Sequence, residues 1–319
     1  MIRVGVIGAG SFGREHARVY AQSANAQLAA VCDINAANGR PVAERFNAAF
    51  AVDYHELIGK VDAVSLAVPT VAHAEIAMAL LEQGIHVLVE KPIARTLDEA
   101  DAMMSVASRG GAVLQVGHLE RFNPAVIAAR QIVTTPRFFE AHRLSLFTPR
   151  SLDVDVVMDL MIHDIDVVLA LAASRVREVR AAGIPILTPH IDIANARVEF
   201  ENGCIANLTA SRVSLEKVRK VRLFQPHEYV SIDYAAQEAA TVSVKPSADG
   251  RMNFDARALA VARDEPLRLE IEAFLAAING GEVRVTGAEG RRALELALEI
   301  VARIREHAER AGVPLPPLE

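Results

Sequence analysis

The sequence has few cysteines, no long apolar run and no dense cluster of basic residues. Cys32 and Cys204 are too few for a disulfide framework or a cysteine-ligated metal site, and their apolar neighbours favour reduced packing residues. No stretch approaches the roughly 18 consecutive apolar residues of a membrane span. The first residues, MIRVGVIGAG, also lack a basic flank followed by a cleavable apolar segment. We therefore expect a soluble, cytoplasmic protein with no membrane partner.

The charge balance is mildly acidic, with a net charge of -6 and a pI near 6.0. A chain of this kind does not provide the basic surface that nucleic-acid binding needs, but it leaves room for a small polar or anionic ligand. The length of 319 residues and the apolar content of 51% predict two domains, each with its own core.

The first part of the chain alternates short β-branched runs with helical segments, which predicts a doubly wound α/β domain with a parallel sheet over residues 1–119. The helical segments end at glycine, as helices commonly do. The predicted strands are Ile2–Ile7, Leu28–Cys32, Ala63–Val68, His86–Glu90 and Val113–Val116, and the clearest helices are Ala72–Gln83 and Leu97–Arg109.

Residues 120–319 have a different pattern, which predicts an α+β domain with an open, mainly antiparallel sheet. The Glu201-Asn202-Gly203 turn carries an Asn-Gly hairpin signature, and Ser247–Asp255 is the only loose segment. The predicted strands are Val176–Ala182, Ile193–Phe200, Cys204–Ser211, Val218–Gln225, Tyr229–Asp233 and Thr241–Lys245, and the predicted helices are Asp155–Ala173, Pro266–Ile278 and Ala288–Ala311.

A G-x-G-x-x-G motif directly follows the first strand and opens a helix. Gly8 permits a tight turn, Gly10 lets the backbone approach a pyrophosphate, and Gly13 allows close helix-strand packing. Asp33 ends the second strand, where its carboxylate can accept hydrogen bonds from ribose hydroxyls and would repel a 2′-phosphate. The motif therefore predicts an NAD site, and the nearby Arg40 leaves NADP as the less favoured alternative.

Three further segments leave strands at the edge where the cofactor of such a domain binds: Val68-Pro69-Thr70, Glu90-Lys91-Pro92 and Gly117-His118. A lysine at a strand end beside a cofactor can hydrogen-bond a substrate hydroxyl, although a plain surface lysine is the alternative. The predicted cofactor contacts are Gly8, Gly10, Ser11, Phe12, Gly13, Asp33, Val68, Pro69, Thr70, His73, Glu90, Lys91 and His118.

Four segments together resemble the Gfo/Idh/MocA oxidoreductases: GAGSFGREHA, AVPTVAHAEIAMALLEQGIHVLVEKPIA, VGHLERFNP and MDLMIHDID. The resemblance covers essentially the whole chain. It implies a Rossmann domain followed by an open antiparallel sheet that carries the substrate site and packs face to face in homodimers or homotetramers. It also implies that the lysine of Glu-Lys-Pro and an Asp-x-x-x-His pair are catalytic, which here are Lys91, Asp159 and His163.

Asp159 and His163 are four positions apart, which places them one turn apart on one helix face. A hydrogen-bonded structural pair is one alternative to catalysis. A metal site is another, but the second histidine at helical spacing that a zinc motif such as H-E-x-x-H needs is missing, so we expect no metal ion. Asp164 and Asp166 are interpreted as orienting or capping groups.

The chemistry of these residues suits hydride transfer from a carbon that bears a hydroxyl. When hydride leaves for the nicotinamide, the hydroxyl proton must also leave, and an imidazole can accept it at neutral pH. We predict that His163 is the base, that Asp159 orients it or the substrate, and that Lys91 stabilises the developing negative charge on oxygen. The reverse assignment, with Lys91 as the base, stays open.

The segment VGHLERFNPAV and the lead-in SLDVDVVMDL are similar to those of family members that oxidise the 3-hydroxyl of UDP-N-acetylglucosamine or its uronic acid. A diphosphate needs basic contacts. Dehydrogenation of a free sugar or inositol, or a noncatalytic NAD-sensing role, are the alternatives. The arginine candidates are Arg121, Arg143, Arg150 and Arg212, although a surface salt pair is the alternative for any one of them. The predicted substrate-binding residues are Lys91, Arg121, Asn123, Arg150, Asp159 and His163.

Overall fold

The computed structural model describes residues 1–148, 154–246 and 252–315. The chain divides into two compact units, Met1–Leu119 with Glu265–Leu294, and Glu120–Asp264 with Glu295–Glu319. The sequence prediction assigned all of residues 120–319 to the second domain, whereas the structure returns residues 265–294 to the first unit.

The first unit contains a six-stranded parallel sheet. Its strand order is β3-β2-β1-β4-β5-β6, the order of a dinucleotide-binding fold, so the predicted doubly wound α/β architecture is confirmed. The three-residue strand β3 was not predicted. The strands are β1 Ile2–Ile7, β2 Ala26–Cys32, β3 Ala49–Ala51, β4 Ala63–Leu66, β5 His86–Glu90 and β6 Leu114–Gly117.

The second unit contains an eight-stranded sheet in the order β14-β13-β12-β11-β7-β10-β9-β8. Every neighbouring pair is antiparallel except β7 with β10, so the predicted open, mainly antiparallel sheet is confirmed. Strand β7 was not predicted. The strands are β7 Phe138–Leu144, β8 Val176–Ile184, β9 Ile193–Phe200, β10 Ile205–Ser211, β11 Val218–Gln225, β12 Glu228–Asp233, β13 Glu238–Pro246 and β14 Met252–Ala258.

Strand β14 corrects the prediction of a loose segment at Ser247–Asp255 for the last four residues of that segment, which form part of the strand. Residues 247–251 lie outside the described residues. All seven residues of β14 are exposed, which leaves no alternation of buried and exposed positions to signal a strand. Pairing with β13 along its whole length defines it instead.

The helices are α1 Ser11–Gln22, α2 Ala36–Arg45, α3 His73–Leu81, α4 Leu97–Gly110, α5 Pro124–Arg130, α6 Ile162–Ala172, α7 Pro266–Ile278 and α8 Gly287–Ala311. Helix α4 shows how local sequence sets the ends. Thr96 and Glu99 form a reciprocal capping box at its start, and Gly111 takes the left-handed conformation at its end. Within the described ranges, none of the helices is long and apolar enough to cross a membrane.

Helix α7 belongs to the first unit because its apolar face lies in the core of that unit. Leu267, Ile271 and Phe274 are buried in one cluster with Val4 and Val6 of β1. Each such side chain contributes about 1.5–3 kcal/mol when it is fully removed from water. The amphipathic pattern predicted this helix, but the sheet against which it packs is determined by tertiary structure.

The predicted helix Asp155–Ala173 is not a single regular α-helix. It begins with a π-helical turn, Val157–Met161, and continues as α6. The side chain of Asp155 accepts a 2.9 Å hydrogen bond from the backbone N–H of Ile191, which anchors the start of the segment to the chain that leads into β9. Single π-helical turns occur often at functional sites, and this one carries Asp159.

Candidate functional site

The glycine loop between β1 and α1 can be formed only with glycine at two of its positions. Gly8 has φ +91°, and a Cβ there would lie 2.4 Å from the carbonyl oxygen of Ala67. A Cβ on Gly13 would lie 1.7 Å from the carbonyl oxygen of Gly8. At Gly10 nothing lies within 4 Å of the Cβ position, so the absence of a side chain leaves open space above the loop.

This open space fits a pyrophosphate. Gly10 precedes the first residue of α1, and no side chain caps that helix end, so its first N–H groups and its positive dipole end are available to an anion. Ser11 and Phe12 are exposed at the same end. Gly10, Ser11 and Phe12 are therefore all accessible at the start of α1.

Asp33 braces the same loop. Its carboxylate accepts a 2.7 Å hydrogen bond from the N–H of Ala9 and a 2.8 Å hydrogen bond from the N–H of Asn35. The side chain remains partly exposed at the end of β2, where it can also accept ribose hydroxyls. Arg40, the residue that left NADP open, places its guanidinium over the ring of Phe50, 4.9 Å from the ring centroid.

Two of the predicted strand-end loops are joined by His73. Its Nδ1 lies 3.0 Å from the carbonyl oxygen of Pro92, and its Nε2 lies 3.0 Å from that of Val68. The side chain is buried, and burial lowers the pKa of the imidazole. His73 thus holds the loops after β4 and β5 together, and its direct contact with a cofactor stays a prediction. Lys91, at the end of β5, is half-buried.

A buried polar network includes Glu90, the residue before Lys91. His16 of α1 is fully buried, with Nδ1 3.0 Å from the hydroxyl oxygen of Ser65 and Nε2 3.0 Å from a carboxylate oxygen of Glu90. The Tyr20 hydroxyl lies 2.8 Å from the same Ser65 oxygen. Glu90, predicted as a cofactor contact, therefore also anchors the strand end through His16.

Glu270 of α7 lies beside this network and was not among the predicted site residues. Its side chain is fully buried, and neither carboxylate oxygen has a hydrogen-bond partner among the described residues. Burial, with a smaller contribution from the negative charge of Glu90, raises the pKa of Glu270 well above its ordinary value. Ligand-type atoms of His16, Glu90 and Glu270 all lie within 4.8 Å of one another.

In the second unit, Asp159 lies in the π-helical turn and His163 in the first turn of α6. Both are half-buried, whereas Asp164 and Asp166 are buried in ion pairs with arginines. The two groups interpreted as orienting or capping residues are thus structural. The more accessible pair is the one predicted to be catalytic.

Arg143 of β7 lies at the centre of a buried ionic network. It donates to both oxygens of Asp164, at 2.8 and 3.0 Å, and to Glu120 at 3.0 Å. Its guanidinium also covers the ring of Tyr234 at 5.0 Å. Arg143 was one of the candidate diphosphate contacts, and the structure instead pairs its charge with the buried carboxylate of Asp164 and the largely buried one of Glu120.

Asn123 has a structural role in the same region. Its amide nitrogen donates to Glu120 and to the carbonyl oxygen of Tyr234, and its amide oxygen accepts from the N–H of Ala125 at the start of α5. With both ends of the side chain engaged and the residue 2% exposed, Asn123 is not arranged for the predicted substrate contact.

The other predicted arginines are also engaged or lie outside the described residues. Arg121 pairs with Asp166 at 3.3 Å and its side chain is 7% exposed. Arg212 is buried, 3.7 Å from Asp192, and donates to the carbonyl oxygen of Val154. Arg150 lies outside the described residues.

A further arginine, Arg219, was not singled out from the sequence. It alternates with buried Val221 and Leu223 along β11, so it shares their face of the sheet. This alternation is visible in the run VRKVRLFQ and could have identified it. His16 and Glu270 carried no comparable sequence signal, because single polar residues on amphipathic helices are common.

The chain matches two family models. Residues 2–118 match the model described as the oxidoreductase family with an NAD-binding Rossmann fold, and residues 130–225 match the GFO/IDH/MocA C-terminal domain. These matches cover the glycine loop, Asp33 and Lys91 in the first unit, and Asp159 and His163 in the second.

Similar proteins cover the full length of the chain. A UDP-N-acetylglucosamine 3-dehydrogenase of Acidithiobacillus ferrooxidans is 39% identical over 97% of this chain and 99% of its own. A solved structure of that enzyme superposes with a TM-score of 0.89 at 38% identity, covering 96% of this chain and 98% of that one. An inositol 2-dehydrogenase of Rhizobium meliloti is 26% identical over 98% of this chain and 99% of its own. The chain belongs to the GFO/IDH/MocA family of NAD-binding oxidoreductases.

Proposed function

We propose that this protein is an NAD-dependent dehydrogenase that transfers hydride between the carbon of a sugar hydroxyl and the nicotinamide, and that its substrate is UDP-N-acetylglucosamine, oxidised at the 3-hydroxyl. The observation that carries this proposal is the 39% identity over nearly the full length to an enzyme named for that reaction. Lys91, Asp159 and His163 are present at the positions that the family motifs predict.

The first unit supplies the cofactor end of the reaction. In the proposal, the pyrophosphate rests on the glycine loop and the N-terminus of α1, and Asp33 accepts the ribose hydroxyls. Bound NAD supplies the hydride acceptor. A carboxylate at position 33 repels a 2′-phosphate, which supports NAD over NADP. Arg40 lies over the ring of Phe50, and among the described residues no ion pair joins it to Asp33.

The second unit supplies the proton acceptor. In the proposal, His163 takes the proton of the sugar hydroxyl as the C–H bond breaks, and Asp159 orients the imidazole or the sugar. The family resemblance also assigns a catalytic role to Lys91, and in the proposal this role is to stabilise negative charge on a substrate oxygen. If Lys91 is instead the base, replacement of Lys91 should remove the pH dependence of kcat, whereas replacement of His163 should leave that dependence in place.

A free polyol or sugar is the second candidate substrate. The observation that favours it is that Arg121, Arg143 and Arg212 are already engaged in ion pairs, as a site for an uncharged substrate would allow. The 26% identity to an inositol 2-dehydrogenase supports the same alternative.

A substrate panel tests both candidates. The purified protein is mixed with NAD and one of UDP-N-acetylglucosamine, its uronic acid, myo-inositol or a common hexose, and NADH is followed by absorbance with hydroxylamine present to trap the ketone. We expect NADH from UDP-N-acetylglucosamine. NADH from myo-inositol alone would favour the second candidate, and no NADH from any substrate would contradict the dehydrogenase proposal.

Matched variants test the roles of the residues. Lys91→Met and His163→Asn should each lower kcat by about 100-fold or more, since acid-base groups contribute roughly 10²–10⁴-fold. Lys60→Met and His227→Asn remove the same residue types from exposed positions of the same two units and should leave kcat unchanged. Equal effects in the paired variants would contradict the assignment.

We also propose that the protein forms a homodimer or homotetramer through the face of the second sheet, as the family resemblance implies. Size-exclusion chromatography with light scattering measures the mass directly. A monomeric mass at assay concentration would contradict this proposal.

A further inference from the structure

Arg219 has an unusual position in the second sheet. It lies on the face of β11 that carries buried Val221 and Leu223, whereas Arg222 lies on the opposite, exposed face. Its register partner on β7 is Arg143. Two like charges directly opposite each other on neighbouring strands destabilise a sheet, so this pairing needs compensation from other groups.

The hydrogen bonds that the neighbouring carboxylates accept from an arginine go to Arg143. Asp164 and Glu120 both hydrogen-bond to Arg143, so two carboxylates surround one guanidinium. Burial by itself lowers the pKa of Arg143, but the charges of Asp164 and Glu120 outweigh it and raise that pKa. Arg143 is therefore a satisfied structural cation.

Arg219 has no such partner. Among the residues that the structure describes, its guanidinium makes neither a hydrogen bond nor an ion pair, although the side chain is half-buried. Burial and repulsion from Arg143 lower the pKa of Arg219, and the negative charges of Glu120, Asp164 and Asp159 oppose this shift without reversing it. The influence of Asp159 places Arg219 within electrostatic range of a predicted catalytic residue.

A half-buried, unpaired guanidinium beside another arginine is an energetic liability for the fold, because desolvation and like charge both disfavour the cation. An anionic ligand would remove this liability. A guanidinium presents its donors in a planar fork that matches two phosphate oxygens at once, which a lysine does not do. Arg121, Arg143 and Arg212 of the same unit are engaged in ion pairs, and Arg150 lies outside the described residues.

We propose that Arg219 binds the diphosphate of the nucleotide-sugar substrate and determines the preference for a nucleotide sugar over a free sugar. This inference rests on the proposed function, since a diphosphate is present only if the substrate is a nucleotide sugar. It replaces the predicted diphosphate contacts at Arg143 and Arg121 with a residue whose donors have no partner among the described residues.

Ligand fragments test the proposal on the NAD-loaded protein. Isothermal titration compares UDP with uridine for the unmodified protein, Arg219→Gln and the control Arg222→Gln. Arg222 lies three positions along the same strand, on the exposed face, 3.6 Å from Glu140. We expect Arg219→Gln to weaken UDP binding by about 10- to 100-fold, because a charge-assisted hydrogen bond is lost. Uridine binding and the NADH dissociation constant should be unchanged.

Kinetics separate a failure of this proposal from a failure of the proposed function. For Arg219→Gln, kcat/KM for UDP-N-acetylglucosamine should fall through KM, with kcat little changed, and Arg222→Gln should match the unmodified protein. If the unmodified protein oxidises the nucleotide sugar but Arg219→Gln binds UDP equally well, only the proposed role of Arg219 is overturned. An unmodified protein that neither binds UDP nor oxidises the nucleotide sugar overturns both proposals.

Arg219→Lys keeps the test decisive if the glutamine variant does not fold. It retains the positive charge but loses the planar fork, so UDP affinity should lie below that of the unmodified protein while uridine affinity stays the same. Circular dichroism and NADH binding confirm that the variant is folded. An Arg219→Lys protein with an unchanged ratio of UDP to uridine affinity contradicts bidentate diphosphate binding.

Discussion

Replacement of Glu270 by glutamine should make the protein more stable than the unmodified chain, by an amount that grows with pH. Glu270 is fully buried in α7, and its carboxylate has no hydrogen-bond partner among the described residues, while Glu90 adds a negative charge nearby. Burial first, and Glu90 second, raise the pKa of Glu270 well above its ordinary value. The folded protein therefore keeps this side chain protonated at a pH where the unfolded chain has released the proton.

The sign of the pH dependence follows from proton linkage. The folded state binds more protons than the unfolded state, so the stabilisation is complete below the unfolded pKa of about 4.3 and is lost as pH rises toward the folded pKa. The loss is about 1.4 kcal/mol per pH unit in that range. Glutamine has the same shape and does not ionise. The difference in unfolding free energy between Glu270→Gln and the unmodified protein should therefore rise by about 1.4 kcal/mol per pH unit above the unfolded pKa.

Urea unfolding at a series of pH values measures this difference. Circular dichroism is the suitable signal because the sequence contains no tryptophan. Glu272→Gln is the matched control. Glu272 lies two positions further along the same helix and forms a partly exposed pair with Arg268 at 2.6 Å. Its effect should stay below about 1 kcal/mol and vary little with pH. Parallel stability curves for Glu270→Gln and the unmodified protein would refute a buried, protonated Glu270.

Three further predictions concern the cofactor loop and the ionic network. Gly10→Ala should fold normally, because nothing lies near the added Cβ, but it should lose NADH affinity by about 10-fold or more in a fluorescence titration. Gly13→Ala should lose both stability and NADH binding, because its Cβ would lie 1.7 Å from a carbonyl oxygen. Retained NADH affinity in Gly10→Ala would contradict pyrophosphate binding at the loop. Arg143→Leu should destabilise the protein by about 3–5 kcal/mol in urea unfolding, since it strands the buried carboxylate of Asp164 and the largely buried one of Glu120. A loss below about 1 kcal/mol would contradict a stabilising role for this network. Asp33→Ser should raise the ratio of NADP to NAD affinity by about 10-fold or more, because it removes the carboxylate that repels a 2′-phosphate. It should also weaken NAD binding, because the bond from the Ala9 N–H to that carboxylate is lost. An unchanged ratio would contradict the role of Asp33 in cofactor choice.

The buried polar network beside the cofactor loop illustrates why tertiary structure was needed. Glu90 was predicted as a cofactor contact because it precedes Lys91 at a strand end. Its interaction with His16, and the approach of Glu270, depend on how α1 and α7 pack on the parallel sheet. No local pattern records such packing, because the partners lie on three elements that are far apart in the sequence.

The arginines show the same limit in the second unit. The sequence offered Arg121, Arg143, Arg150 and Arg212 as candidate diphosphate contacts and could not separate them from arginines in ordinary ion pairs. The register of β7 with β11 and the packing of α6 decide that Arg143 is neutralised by Asp164 and Glu120, and that Arg219 is left without a partner among the described residues.

The sequence by itself determined the features that depend on local stereochemistry and periodicity. The alternation of apolar runs and helices, the glycine motif, and the Asn-Gly hairpin predicted the parallel sheet, the cofactor loop and the antiparallel sheet, because turns and strands are encoded by neighbouring residues. Only the tertiary structure decided which charged side chains are buried and paired, that Glu265–Leu294 joins the first unit, and that Met252–Ala258 forms a strand. These features arise from contacts between distant segments, where desolvation and charge pairing, rather than local propensity, set the outcome.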